Sequence, residues 1–222
     1  MSLEEKTAKS KEVILEARRK YAPNIGLAFT GGKDSTVLLH LTRSLFGQVP
    51  MKAMFIDVYD HFPETLAFVD RMSTEWGLQV IKARDPALLP KYRAATDKKE
   101  KREISRMMKI NAIKHTVEEQ GWRALMAGIR WDEHPARSQE TYFSPREDHV
   151  RVHPILHFTE KDVWSYIRRH SVPYNPLYDK GFRSLGATVD TEPVTDPHAP
   201  ERAGREKEKE RIMERLRELG YF

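Results

Sequence analysis

Short apolar runs and helical apolar spacings alternate along the first 127 positions of the chain. Leu3, Val13, Ile14 and Ala17 give residues 3–21 a partial apolar face, and Pro23 stops that helix. Ile25–Phe29 is an apolar run suited to a buried strand, after which Thr30-Gly31-Gly32 turns the chain. From Asp34 to Phe46, the apolar residues Val37, Leu38, Leu41 and Leu45 return at helical spacing. Met51–Val58 and Leu78–Ala83 read as strands on either side of a helix over Pro63–Trp76. Residues 100–120 form a long charged helix that Gly121 ends, and Arg123–Ala127 is a fourth strand.

This rhythm predicts an α/β fold of the Rossmann type: a twisted parallel sheet with helices on both faces. Ligands of such sheets sit at the carboxyl ends of the strands. Three distinctive segments follow predicted strands, Thr30–Thr36, Asp57–Thr65 and Gly128–Arg137, so the expectation is one site built from three loops. Beyond Arg137 the rhythm weakens. Thr141–Phe143 and Val150–Val152 are expected to pair, and Thr159 to cap a helix ending near His170, with Asp162 at its third position. Residues 171–200 are rich in Pro and Gly and read as irregular; residues 201–219 read as a terminal helix with Ile212, Leu216 and Leu219 on one face. The division expected is a nucleotide-binding domain over 1–170 and an irregular and helical extension over 171–222.

Composition narrows the chemistry. The 222 residues suit one α/β domain with an extension, and a net charge of +5 suits a polyanionic ligand or nucleic acid. Charges of both signs alternate, as over Lys98–Glu103, which argues for a solvated helix face and against a nucleic-acid-binding block. There is no cysteine, so disulfides, thiolate nucleophiles and cysteine-ligated metals are excluded. Four of the histidines, His134, His149, His153 and His157, show no zinc spacing. No apolar run approaches the roughly 20 residues that span a bilayer, and the polar N-terminus is unlike a secretory signal. A cytoplasmic location is the expectation.

The strand–turn–helix over Ala28–Thr36 has the parts of an anion cradle. Glycines let the backbone approach a phosphate, helix N-terminal amides face it, and Lys33 adds a cation. Ser35 and Thr36 add hydroxyls, and Asp34 is a candidate ligand for Mg²⁺. The spacing is not that of a Walker loop, and on spacing alone an ordinary capped glycine turn fits equally well.

Phe29-Thr30-Gly31-Gly32-Lys33-Asp34-Ser35 resembles the loop of the ATP pyrophosphatase, or PP-loop, superfamily, with Thr30 in place of the usual Ser. Phe55-Ile56-Asp57 with His61–Thr65, Gly128–Arg137, Arg151–Leu156, Thr159–Ile167 and Val172–Tyr178 resemble its phosphoadenylyl-sulfate reductase branch. The reductases of that branch use a cysteine near the C-terminus, which this chain lacks. Arg130-Trp131-Asp132-Glu133 with Arg137, and the ending from Glu201-Arg202-Ala203-Gly204-Arg205, are similar to the small subunit of bacterial sulfate adenylyltransferase. Ala187 and Asp190 stand where that family carries a Cys-x-x-Cys pair, and an insertion before Asn175 is missing.

The resemblance implies an adenylyltransferase that splits ATP between its α and β phosphates, with sulfate as acceptor. ATP and Mg²⁺ are then the cofactors, and a GTPase large subunit or a second copy of the chain the expected partner. Lys33, Arg130 and Arg137 are the expected catalytic residues. Nucleotide contacts are expected from Ala28, Phe29, Thr30, Gly31, Gly32, Asp34, Ser35, Thr36, Ile56, Asp57, Gly128 and Arg183. Asp57 reads equally as a ribose or metal contact and as a loop cap. A reductase-like protein without its cysteine, an FMN adenylyltransferase and a nucleotide-binding regulatory module are the alternatives.

Overall fold

The computed structural model describes residues 1–196, 198–205 and 207–218. Helix α1 (Leu3–Tyr21) opens with a capping box in which Ser2 and Glu5 each bond the other's backbone N–H, and basic residues in its last turn complement the helix dipole. Strand β1 (Ile25–Ala28), helix α2 (Lys33–Phe46), β2 (Ala53–Ile56), α3 (Pro63–Glu75) and β3 (Val80–Ala83) follow. The short α4 (Leu89–Ala94) was not expected: it carries no apolar periodicity and none of its residues is buried. After it come α5 (Lys98–Glu119), β4 (Ala124–Met126), β5 (Phe143–Pro145), β6 (Val150–Val152) and α6 (Glu160–Arg169).

The strands form one sheet in the order β3-β2-β1-β4-β6-β5. Every pairing is parallel except β5 with β6. The chain runs from β1 outward to β3 and then returns to place β4 on the other side of β1. The crevice between the carboxyl ends of β1 and β4 is therefore the topological switch point, where open α/β sheets bind ligands.

Alternate strand residues enter opposite cores. Ile25, Leu27, Ala53, Phe55, Ala124 and Met126 face one core with residues of α1, α2, α3 and α6. Ala28, Met54, Leu125 and Ala127 face the other with Ile113 and Val117 of α5 and Met213 and Leu216 of α8 (Met213–Glu218). Each fully buried side chain such as Leu38 contributes roughly 2 kcal/mol by removal from water.

The single terminal helix expected over 201–219 is instead a turn at 201–204 followed by α7 (Lys207–Arg211) and α8. Leu219 lies outside the described residues, whereas Leu216 is buried. Thr159 and Asp162 cap α6 reciprocally, at 3.2 Å and 2.8 Å. Residues 171–205, here called the strap, contain short 3-10 turns at Pro176–Lys180 and Thr188–Asp190 and cross back over the carboxyl ends of the sheet. Among the described residues, no helix is long and apolar enough to cross a membrane.

Candidate functional site

Strand β1 leads into a turn whose Gly31 has φ +73°, a conformation that glycine adopts without steric cost. The Ser35 hydroxyl closes the turn: it accepts from the Thr30 amide at 3.2 Å and donates to the Gly32 carbonyl at 2.9 Å. The N-cap residue of α2, Gly32, has no side chain to cap it, so the helix presents its first amides to whatever packs there. Gly128, just past β4, lies so close that an added Cβ would sit 2.8 Å from the Asp34 carbonyl. The two loops meet only because that position has no side chain.

The strap supplies what packs against α2. The Lys33 amide donates to the Tyr178 hydroxyl at 2.8 Å. Trp164 stands edge-on to the Tyr178 ring, with centroids 5.2 Å apart, and fixes its position. The Lys33 side chain is 1% exposed. Its ammonium donates to Glu201, to Asp34 at 3.2 Å and to the Arg183 carbonyl at 3.1 Å. Arg130 is fully buried and donates to Asp34, to Glu201 and to Asp132, the last at 2.8 Å. Glu133 pairs with Arg137 and lies 3.7 Å from Arg202.

Burial opposes every charge in this cluster, and the partners decide the outcome. For Lys33, Asp34 leads the groups that override burial and hold the ammonium above its usual range. Arg130 is held up in the same way by Asp34, Glu133 and Glu201. Burial would raise Glu133, but Arg137, Arg130 and Arg202 pull its carboxyl down to about 2. Burial pushes the Glu201 carboxyl up to about 7, the pull of Lys33 being offset by Asp34. Burial also lowers the Arg137 guanidinium, and it lowers Arg151 to about 10.

One pocket opens at the switch point. An apolar part is formed by Ala28, Phe55, Ile56, Ile113, Ala127 and Ile129. A cationic part is formed by Lys109, Arg137, Arg151, Arg202 and Arg205, which come from α5, the loop after β4, β6 and the strap. Arg205 is 7% exposed, its Nη2 is 3.8 Å from Asp190, and its Nε and Nη1 have no hydrogen-bond partner among the described residues.

Of the residues expected at the site, Ala28, Thr30, Gly32, Lys33, Asp34, Ser35, Ile56, Gly128 and Arg137 line this pocket. Others do not. Phe29 is wholly buried and its ring packs 6.3 Å from Phe68. Gly31 shapes the turn, and Thr36 is buried with its hydroxyl on the Gly32 carbonyl. Asp57 takes a two-pronged bond from Arg84, at 2.9 Å and 2.7 Å, and caps its own loop by accepting from the Tyr59 amide. Arg183 points its guanidinium to Glu160 and the Ala199 carbonyl, meeting Lys33 only through its backbone. Arg130 braces carboxylates from inside the wall.

Sequence reasoning overlooked Lys109, Arg151, Arg202, Arg205, Tyr178 and Glu201 as site residues. A signal existed for Arg151, a lone charge between two valines of a strand, and for the Glu201–Arg205 segment, which stood out only as a tail.

The carboxylates of Asp34, Glu133 and Glu201 lie within 4.8 Å of one another, a spacing compatible with a cation. Magnesium requires free carboxylate oxygens in near-octahedral array. Here Lys33, Arg130 and Arg137 already occupy these carboxylates. The donor set as arranged does not fit Mg²⁺, contrary to the expectation for Asp34.

Comparison with known proteins supplies the family. Residues 24–193 match the family described as phosphoadenosine phosphosulfate reductase domain. An adenosine 5'-phosphosulfate reductase of Halalkalibacterium halodurans is 30% identical, over 88% of this chain and 86% of its own length. One of Staphylococcus haemolyticus is 29% identical, over 92% and 85%. Among solved structures, phosphoadenylyl-sulfate reductase from Candida auris superposes with TM-score 0.69 at 20% identity, covering 83% of this chain and 90% of that one. Candida glabrata FMN adenylyltransferase in complex with ATP superposes with TM-score 0.70 at 23% identity, covering 92% and 72%. These structural likenesses show the fold. The relatives spanning most of the chain are named reductases, which overturns the expectation of a sulfate adenylyltransferase. With it goes the reason to expect a GTPase subunit.

Proposed function

The chain belongs to the phosphoadenosine phosphosulfate reductase domain family, and from that premise we propose that it binds an adenosine sulfonucleotide as a reductase-like protein that supplies no thiol of its own. The observation that carries this reading is the mixed lining of the pocket, which combines apolar residues with the cations Lys109, Arg137, Arg151, Arg202 and Arg205. A flat base suits the first and a phosphosulfate end the second. The relatives' printed names supply the substrate class.

The residues have separable roles in this reading. Ile56, Ile113 and Ile129 hold the base. Arg137, Arg202 and Arg205 neutralise the anionic end, with Glu133 holding the first two in orientation. Without a cysteine, the chain cannot form a sulfur adduct. Reduction then needs a separate dithiol. Its thiolate attacks the sulfur, the sulfur–oxygen bond breaks, and AMP leaves with the electron pair. The second thiol displaces sulfite and closes the disulfide. The chain's part is to orient the phosphosulfate anhydride and stabilise charge on the departing phosphate.

The test is incubation with adenosine 5'-phosphosulfate, with and without a small dithiol, while following AMP and sulfite. The reading expects saturable sulfonucleotide binding, and sulfite only when dithiol is present. Sulfonucleotide binding no tighter than that of AMP would overturn it. ATP–pyrophosphate exchange, with or without FMN, is expected to be absent.

A further inference from the structure

The phosphate loop carries two groups suited to gripping a polyphosphate, the Lys33 amide and the Lys33 ammonium. Both are engaged by the strap. Tyr178 holds the amide at 2.8 Å, and Glu201 holds the ammonium. The second Glu201 oxygen accepts from Arg130 at the loop's back wall. A carboxylate whose side chain is 8% exposed thus bridges two buried cations, as an oxyanion would.

We propose that Glu201, with Tyr178, is a built-in anion that fills the pyrophosphate cradle and sets specificity against nucleoside di- and triphosphates. The site then admits an adenosine monophosphate anhydride with one further oxyanion, whose anionic end turns toward Arg137 and Arg205. A β,γ-diphosphate meets a carboxylate of its own sign where the loop would otherwise bind it. Like charges brought together in such a partly desolvated site repel. Arg183 contributes through its carbonyl, which takes a third Lys33 proton at 3.1 Å. The intact loop is therefore consistent with a ligand that has no pyrophosphate: its lysine is a structural cation for the strap. Which ligand the site admits rests on the sulfonucleotide reading; the plugging of the cradle does not.

The test is calorimetric titration of the full chain at about pH 8.5, above the value near 7 to which Glu201 is raised, with inorganic pyrophosphate, and separately with AMP. Wild type is expected to bind pyrophosphate weakly. Glu201→Gln, which keeps the shape and removes the charge, should bind it roughly tenfold or more tightly, with AMP affinity within about threefold of wild type. Tyr178→Phe frees the Lys33 amide, keeps the ring and should give a smaller gain of about threefold. Pyrophosphate binding to wild type as tight as to Glu201→Gln overturns the proposal. So does a folded Glu201→Gln chain that gains nothing. If that variant does not fold, Tyr178→Phe decides: no gain in the folded chain overturns the proposal. Failure of wild type to bind AMP or sulfonucleotide, with the pyrophosphate result as expected, removes the functional reading and leaves the plugged cradle standing.

Discussion

In the phosphate loop, the side-chain hydrogen bonds that shape the turn span five positions or fewer. In the strap, the bonds that reach the same loop span 144 to 168 positions. The loop is a local structure made by two glycines, a serine and a helix start. The strap has little regular structure and is ordered by what it touches. One supplies an anion cradle, and the other determines what the cradle meets. On the proposed reading a complete loop motif need not bring ATP cleavage with it, because its lysine and first amide are satisfied by residues far away in sequence.

The comparison breaks most severely at Arg130, which joins the two regions by holding both Asp34 and Glu201. Arg130→Ala should cost about 3–5 kcal/mol in denaturant unfolding, because it leaves buried carboxylates unpaired. A loss under about 1 kcal/mol would mean that the cluster is not a structural link.

Acid tests the same cluster without mutation. Glu133 sits at about 2 in the folded chain against an ordinary 4.5, so the unfolded chain takes up its proton first as pH falls. Stability from this group is complete above pH 4.5 and is lost toward pH 2, amounting to about 3 kcal/mol. Unfolding measured across that window should show the slope, and Glu133→Gln should make it shallower, the lowered Glu140 and Asp57 carboxyls keeping the remainder.

Gly128→Ala probes the close approach of the two loops. With a Cβ 2.8 Å from the Asp34 backbone, one element must move, at a cost of about 1–3 kcal/mol. Stability equal to wild type would contradict the contact. The smallest effect is expected at Thr159→Ala, which removes one cap of α6 and should lower stability by about 1 kcal/mol, read as a small fall in melting temperature.

The sheet and its flanking helices were legible because Val37, Leu38 and Leu41 recur at helical spacing while Ile25 and Leu27 alternate into one core. Observed strands are shorter than the apolar runs: Met51 and Val58 lie beyond the positions where β2 finds partners. Helix α4 escaped notice because its six residues half-bury only Leu89 and Tyr92, too little to leave a period. At the site, Lys33 and Arg137 were legible as cations after strands. What they face was not, since Glu201 and Arg205 arrive through an irregular segment with no repeating pattern. Asp57 shows the limit from the other side: its partner Arg84 lies beyond the neighbouring strand, and only the folded chain brings the two together.

The central claim is that this pocket admits an adenosine sulfonucleotide and resists a polyphosphate. Equilibrium titration of one wild-type sample with adenosine 5'-phosphosulfate and with ATP tests it most directly. The account predicts that the sulfonucleotide binds at least roughly tenfold more tightly. ATP binding equal to or tighter than the sulfonucleotide would contradict it.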